Sequence, residues 1–244
     1  SMLNKGHISK ILPLSDELML ARRGKLTSSE NHNLASGNFM TTGCRSYLYR
    51  KVGELLTNVT ATSELNTEAT IHGLMNEAVA VQKFAQVYGF KYIICQQLIA
   101  IPGTKFGSTP DGIIVLNESL DEQMYNVRNI EVKCPITYAN FIALSLCKTP
   151  QDLKAENKEY YWQVLDQMDN CDCMIGYFVV YHPDFRAGNF HVIEFRKMQP
   201  DGVEQNKPVK FPIAKDLAFL KDRKIQASAY MDELYLDLCS RKAV

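Results

Sequence analysis

The chain has 244 residues, 46% of them hydrophobic and 22% charged, which suits one large globular domain and excludes disordered, collagen-like and coiled-coil classes. Its 27 basic residues are matched by 27 acidic ones, so any contact with a polyanion must be local rather than a matter of overall charge. No apolar run approaches the roughly 18–20 residues that a membrane span needs.

From the N-terminus, 1–66 reads as a helical part, with helices over 15–56 joined by the polar stretch TSSENHNLASGN. The segment TEATIHGLMNEAVAVQKFAQVYGF (67–90) predicts an amphipathic helix: Ile71, Leu74, Met75, Ala78, Val81, Phe84 and Ala85 recur at three and four residues, and Gly89 supplies a stop. Strands follow over 92–101, 112–116 and 129–134, with NESLDEQMYNVR (117–128) polar and turn-like between the last two. A helix over 159–171 carries Tyr161, Val164, Leu165 and Met168 on one side. Two more strands (174–182, 190–195) and a closing helix from 212 complete the chain. The alternation predicts a single α/β (α+β) domain over 1–244, with a central mixed β-sheet flanked by helices.

Chemistry concentrates in STPDGI and NIEVKCPI. Residues two apart on a strand share a face, so Glu131 and Lys133 lie together while Ile130 and Val132 face the other way. Pro135 ends that strand because it offers no N–H to the ladder. Asp111 sits in a turn between Pro110 and Gly112, and if the two strands pair it can approach Glu131. Two close carboxylates repel, and a hard divalent cation such as Mg²⁺ is their usual stabiliser. Lys133 could then orient a water or answer charge developing on a phosphate. Read alone, the same residues also suit a solvated pair on the sheet's outer face beside a plain turn aspartate.

This Pro-Asp…Glu-x-Lys arrangement resembles the PD-(D/E)xK nucleases, in which the two acids bind Mg²⁺ and the lysine assists attack of water on a phosphodiester. Four further stretches are similar to the lambda-type phage exonucleases, the red-alpha and YqaJ-like viral recombinase family. ARRGKLTSSENHN resembles its opening Arg-x-Gly-x-x-Thr-x-Ser-Glu run, on which Arg22, Gly24, Thr27, Ser29 and Glu30 fall. HGLMNEAVA resembles its Gly-x-x-x-Glu helix, STPDGI…IEVKCPIT its catalytic core, and YWQVLDQM its Gln-Val-x-x-x-Met helix. Two details depart from the pattern: Thr109 stands where the family has serine, and Arg23 adjoins Arg22.

The resemblance implies a restriction-endonuclease-like fold and degradation of one strand of linear double-stranded DNA from a 5′-phosphorylated end. It implies Asp111, Glu131 and the Val132 carbonyl as metal ligands, Glu77 as a further acid holding a second Mg²⁺, and Mn²⁺ as a substitute. Lys133 and Gln163 would position the attacking water, and Arg22, Ser29 and Thr109 would take the 5′-phosphate. It also implies a ring-shaped homotrimer working beside a single-strand annealing protein in recombination. Taken singly, Glu77 and Gln163 also read as surface helix residues, Thr27 and Ser29 as helix caps, and Arg22 as the partner of a nearby acid. A same-fold endonuclease, an RNA-degrading viral nuclease and a catalytically silent DNA-end-binding module are the alternatives.

The remaining reactive residues offer no competing chemistry. Seven scattered cysteines without a CxxC point to reduced thiols, and the opening SMLNKGHISK is too polar for a secretory leader. An intracellular setting, in a host cytoplasm or a nucleus, is the expectation. The five histidines lack zinc-ligand spacing, and neither a Gly-x-Ser-x-Gly elbow nor a P-loop occurs.

Overall fold

A computed structural model describes residues 2–12, 15–60, 67–118, 124–197 and 212–241. The N-terminal part runs through β1 (Leu3–Asn4), a 3-10 turn (Lys5–His7), α1 (Asp16–Ala21), β2 (Leu26–Thr27), a second 3-10 turn (Asn31–Leu34) and α2 (Thr42–Thr57). Next come α3 (Glu68–Tyr88), β3 (Ile93–Cys95), β4 (Ile99–Ala100), β5 (Phe106–Ser108), β6 (Gly112–Glu118) and β7 (Met124–Lys133). Three helices, α4 (Tyr138–Leu146), α5 (Pro150–Glu156) and α6 (Lys158–Asn170), lead to β8 (Ile175–Tyr181), β9 (Phe190–Arg196) and α7 (Pro212–Ser240).

Six strands form a mixed sheet in the order β3-β6-β7-β8-β9, with β1 paired to the start of β7. Only the β7–β8 pairing in it is parallel. A parallel pair needs a long crossover, which α4–α6 supply. Because side chains alternate across a strand, the sheet has two different faces. Ile130, Val132, Tyr177 and Val179 pack with Ala80, Val81 and Phe84 of α3 on one. Phe178 and Val180 join Tyr161, Val164, Leu165 and Met168 of α6 on the other. Both faces are therefore covered, and β8 is buried from Gly176 to Tyr181, as its unbroken apolar run requires.

The mixed-sheet α/β expectation holds, and several boundaries differ. The apolar run 92–101 is two strands in two sheets: β3 joins the main sheet, while β4 joins a three-stranded sheet ordered β2-β5-β4. The break falls at Gln96, whose φ of 48° is left-handed and cannot continue a strand. The polar stretch at 117–128 is largely strand, because β6 and β7 extend as a paired hairpin in which cross-strand hydrogen bonds rather than burial hold the polar residues. Helices α4 and α5 occupy ground that the sequence reading leaves unassigned. The face expected of α3 is buried at Val81 and Phe84, yet Ile71 and Met75 are 48% and 73% exposed. Only the C-terminal half of that helix packs on the sheet; its first turns run past the strand ends and flank a cleft there.

One tight contact fixes α6 against the sheet. A Cβ on Gly176 of β8 would lie 2.4 Å from Asn129 Oδ1 and 2.9 Å from Met168 Cγ. Overpacking of this kind costs roughly 1–3 kcal/mol. Gly176→Ala is expected to lower the urea midpoint by a corresponding amount at unchanged m-value, and an unchanged midpoint would show that the contact is not tight.

Candidate active site

The site is assembled at the C-terminal end of β7. Gly112, the first residue of β6, pairs with Ile130, which brings the preceding Asp111 across from Glu131. Asp111 Oδ2 accepts a 2.7 Å hydrogen bond from the Val132 backbone N–H. Glu131 is 2% exposed, and its two oxygens accept from different donors: Lys133 Nζ reaches Oε1 at 2.6 Å and Gln167 Nε2 reaches Oε2 at 2.5 Å. The pair is thus turned toward α6, with Glu131 buried and Lys133 24% exposed at the cleft, so the reading of a solvated pair on an outer face is set aside.

Each partner of Glu131 is itself held. Lys133 Nζ lies 4.9 Å from the Tyr160 ring centre, over its face. The Gln167 carbonyl accepts from Asn129 Nδ2 at 3.0 Å, and Asn129 Oδ1 accepts from the Cys173 thiol at 3.2 Å. The amides are therefore directed, every N–H₂ pointing toward the carboxylate. Gln163 sits between Tyr160 and Gln167 at spacings of three and four residues, half-buried on the same side of α6. Among the described residues, the amide that touches Glu131 belongs to Gln167, which sequence reasoning passed over. The signal in the sequence was only the repeat of a glutamine one turn further along the helix.

Glu77 reaches the same place from α3, rounding the strand end. It lines a cleft of about 650 Å³ together with Leu74, Val132, Lys133, Asn157 and Tyr160. Its Oε2 accepts from Gln96 Nε2 at 3.0 Å, and Gln96 N lies 3.4 Å from the Asp111 carbonyl. The left-handed residue that splits the predicted strand thus holds the third acid. A non-glycine residue in that region stores about 1–3 kcal/mol of strain.

The charges answer one another. Burial raises the Asp111 carboxyl well above its ordinary range, Glu131 and Glu77 add to the rise, and Lys133 and the Val132 N–H oppose it. Burial likewise raises Glu77, with Lys133 lowering it and Glu131 raising it. For Lys133 burial works against the charge, but Glu131 and Asp111 outweigh it and raise the ammonium pKa. Burial also pushes the neighbouring Cys134 thiol up to about 12, with Glu77 and Asp111 adding to the rise and Lys133 opposing it.

Three carboxylates against one ammonium leave an excess of negative charge, and an oxygen-only donor set fits a hard divalent cation. Among the described residues no three of His, Cys, Asp or Glu are already drawn to cage spacing. Asp111, Glu131 and Glu77 are each engaged instead by protein donors.

A second group of predicted residues lies around the small sheet. Arg22 follows α1 and is half-buried. Burial pulls its pKa below the ordinary value, while Glu30, Tyr47 and Glu54 oppose that. Gly24, two residues on, has φ +64° and a backbone N–H that donates to Glu54 at 2.9 Å; a Cβ there would fall 2.3 Å from Leu55 Cδ2. Thr27 pairs with Gly107, two residues before Thr109. The hydroxyls of Thr27, Ser108 and Thr109 are buried without a hydrogen-bond partner. An orphaned buried hydroxyl costs about 1–3 kcal/mol, so each of the three has a donor left to give. Ser29 is exposed beyond Ser28, whose hydroxyl donates to Asp166 at 2.7 Å.

No match is found among curated proteins. The fold is similar to that of an alkaline exonuclease (LHK-Exo) from Laribacter hongkongensis, with TM-score 0.63 at 19% identity over 92% of this chain and 98% of that one; the same holds for that enzyme in complex with dAMP. A phage-related exonuclease from Haemophilus somnus 129PT is similar at TM-score 0.60 and 12% identity, over 88% and 96% of the two chains. The model of the YqaJ-like viral recombinase domain matches residues 18–173, a span that holds Asp111, Glu131, Lys133 and every other predicted site residue. On that match over more than half of its length, the chain belongs to the YqaJ-like viral recombinase domain family.

Proposed function

We propose that the protein is a metal-dependent 5′-to-3′ exonuclease that degrades one strand of linear double-stranded DNA from a 5′-phosphorylated end, in the service of single-strand-annealing recombination. The observation that carries this reading is the meeting of Asp111, Glu131, Glu77 and Lys133 at one strand end, a short way along the chain from buried hydroxyls that lack an acceptor. Family membership and the fold shared with exonucleases support the nuclease class. A homotrimeric ring and an annealing partner belong to the same reading, with the family as their support.

Asp111, Glu131, the Val132 carbonyl and Glu77 would hold two Mg²⁺ ions, or Mn²⁺ in their place. Bound there, such ions supply positive charge to the phosphoryl oxygens and ease deprotonation of water. The chain's own residues do the rest. Gln167 and Lys133 fix both oxygens of Glu131 and so its orientation. Lys133, kept protonated, donates to the attacking water or to a phosphate oxygen, and Gln163 positions the water from the next turn of α6. A bond forms between the water oxygen and phosphorus as the water gives up a proton to solvent, the bond from phosphorus to the 3′-oxygen breaks, and that oxygen takes a proton from solvent. The products are a 5′-mononucleotide and a shortened strand that again ends in a 5′-phosphate. Arg22, Ser29 and Thr109 would take that phosphate, the guanidinium gripping two oxygens while the hydroxyls donate.

A time course on 5′-phosphorylated linear duplex is expected to release mononucleotides with Mg²⁺ and none with a chelator. Covalently closed circles and RNA should survive. Cutting of circles would make the protein an endonuclease, loss of RNA would make it an RNase, and tight binding without cleavage would make it a silent end-binding module.

Lys133→Met and Asp111→Asn are each expected to lower the cleavage rate by at least about 10²-fold with the circular dichroism spectrum kept. Gln167→Leu, which frees one oxygen of Glu131, should cost about tenfold. Full activity of the Gln167 variant would remove it from the support of the site.

The raised pKa of Asp111 also sets a pH dependence. A carboxyl shifted upward stays protonated to higher pH, so protons compete with the cation until pH rises through that value. The rate at limiting Mg²⁺ should rise with pH above the ordinary carboxylate range, and more Mg²⁺ should move the rise to lower pH. A profile that ignores Mg²⁺ concentration would exclude Asp111 as the titrating group.

A further inference from the structure

Helix α7 lies beyond the family match at 18–173, yet it places a charge in the interior. Lys224 is 0% exposed, and its three N–H donors are used by Asp166 Oδ1 at 2.7 Å, Asp169 Oδ2 at 2.8 Å and Asn170 Oδ1 at 3.0 Å, all on α6. A buried ammonium is tolerated only when paired and fully hydrogen-bonded, which this one is. Asp166, also 0% exposed, spends its other oxygen on the chain ahead of α2. Oδ2 accepts from Ser28 Oγ at 2.7 Å and from Asn31 Nδ2 at 2.8 Å. Asn31 Oδ1 in turn accepts from Tyr47, whose hydroxyl receives the Thr27 N–H.

The neighbouring residue of α7 grips the other end of the same stretch. Arg223 donates to the Gly37 carbonyl at 2.7 Å and to the Ser36 carbonyl at 3.3 Å. Two adjacent side chains of one helix therefore tie down residues 28–37 at both ends, one through Asp166 and one directly. Ser29 and Glu30 lie between the anchored Ser28 and Asn31, and the Glu30 N–H donates to the Thr27 carbonyl at 3.0 Å.

We propose that Lys224, acting through Asp166, is a positioning residue for recognition of the 5′-terminal phosphate: it neutralises the carboxylate on which the 28–31 segment is anchored. The proposal rests on the reading of Arg22, Ser29 and Thr109 as the phosphate-binding group. Lys224 touches no substrate. Without its charge Asp166 is an unpaired buried anion, which must take up a proton or water, and either change disturbs the acceptor that holds Ser28 and Asn31.

The test compares binding of 5′-phosphorylated and 5′-hydroxyl duplexes in a chelator, by fluorescence anisotropy with the full chain, so that cleavage plays no part. The wild type should prefer the phosphorylated end. Lys224→Met should reduce that preference about tenfold, the scale of one charge-assisted hydrogen bond. The double variant Lys224→Met with Asp166→Asn, in which the carboxylate charge is gone but its acceptor oxygen stays, should recover part of it. A general loss of stability would lower the bindable fraction for both duplexes alike and leave the ratio where it was.

If Lys224→Met fails to fold, Ser28→Ala carries the test, since it removes one hydrogen bond to Asp166 and leaves the buried ion pair intact. It should reduce the ratio several-fold, since the bond it removes is charge-assisted while Asn31 still donates to the same oxygen. A wild-type ratio in Lys224→Met, or in Ser28→Ala where the first does not fold, overturns the positioning role and leaves the phosphate reading standing. No preference in the wild type overturns both.

Discussion

A carboxylate cannot be buried at a strand end unless something answers its charge, and Glu131 is answered twice. Lys133 takes one oxygen and Gln167 the other, so the side chain has one orientation. Much of the structure follows from that need. Asn129 must present its amide to Gln167, Gly176 must leave room for Asn129, and α6 must lie close enough to the sheet for the chain of amides to close. The proposed chemistry then inherits its rigidity from core packing and not from a loop.

Helix α6 links the two halves of the molecule. Neighbouring residues on a helix point about 100° apart. Gln167 therefore faces the end of β7 while Asp166, next to it, faces the 28–31 segment and α7. The distance between the acids and the anchored segment is set by one helix and cannot vary without disturbing its buried side. A nuclease that measures from a terminal phosphate to the bond it cuts needs such a fixed spacing.

What the sequence disclosed and what it hid divide along a physical line. Asp111, Glu131 and Lys133 were legible because strand period puts alternate residues on one face and Pro and Gly mark strand ends, all of which are local properties. The helix over 159–171 and the strands over 174–182 and 190–195 were legible for the same reason. Gln167, Gln96 and Asp166 were not, because their contacts depend on which element lies opposite, and residue type and spacing do not say so. The run 92–101 misled because apolar residues stand on both sides of Gln96 and Gln97, and the pattern does not say that the chain turns left-handed there and changes sheet. The face of α3 misled because periodicity reports where apolar residues lie and not how far the partner sheet extends; Ile71 and Met75 keep the helical spacing after the sheet has ended.

The place of Lys224 in the chain carries a consequence for how the protein matures. A ribosome delivers residues 28–37 and all of α6 well before it delivers α7. Until that last helix emerges and docks, Asp166 has no counter-ion and the carbonyls of Ser36 and Gly37 have no guanidinium. On the reading given above, a nascent chain carries the acids and the lysine but not the fixed grip on a DNA terminus.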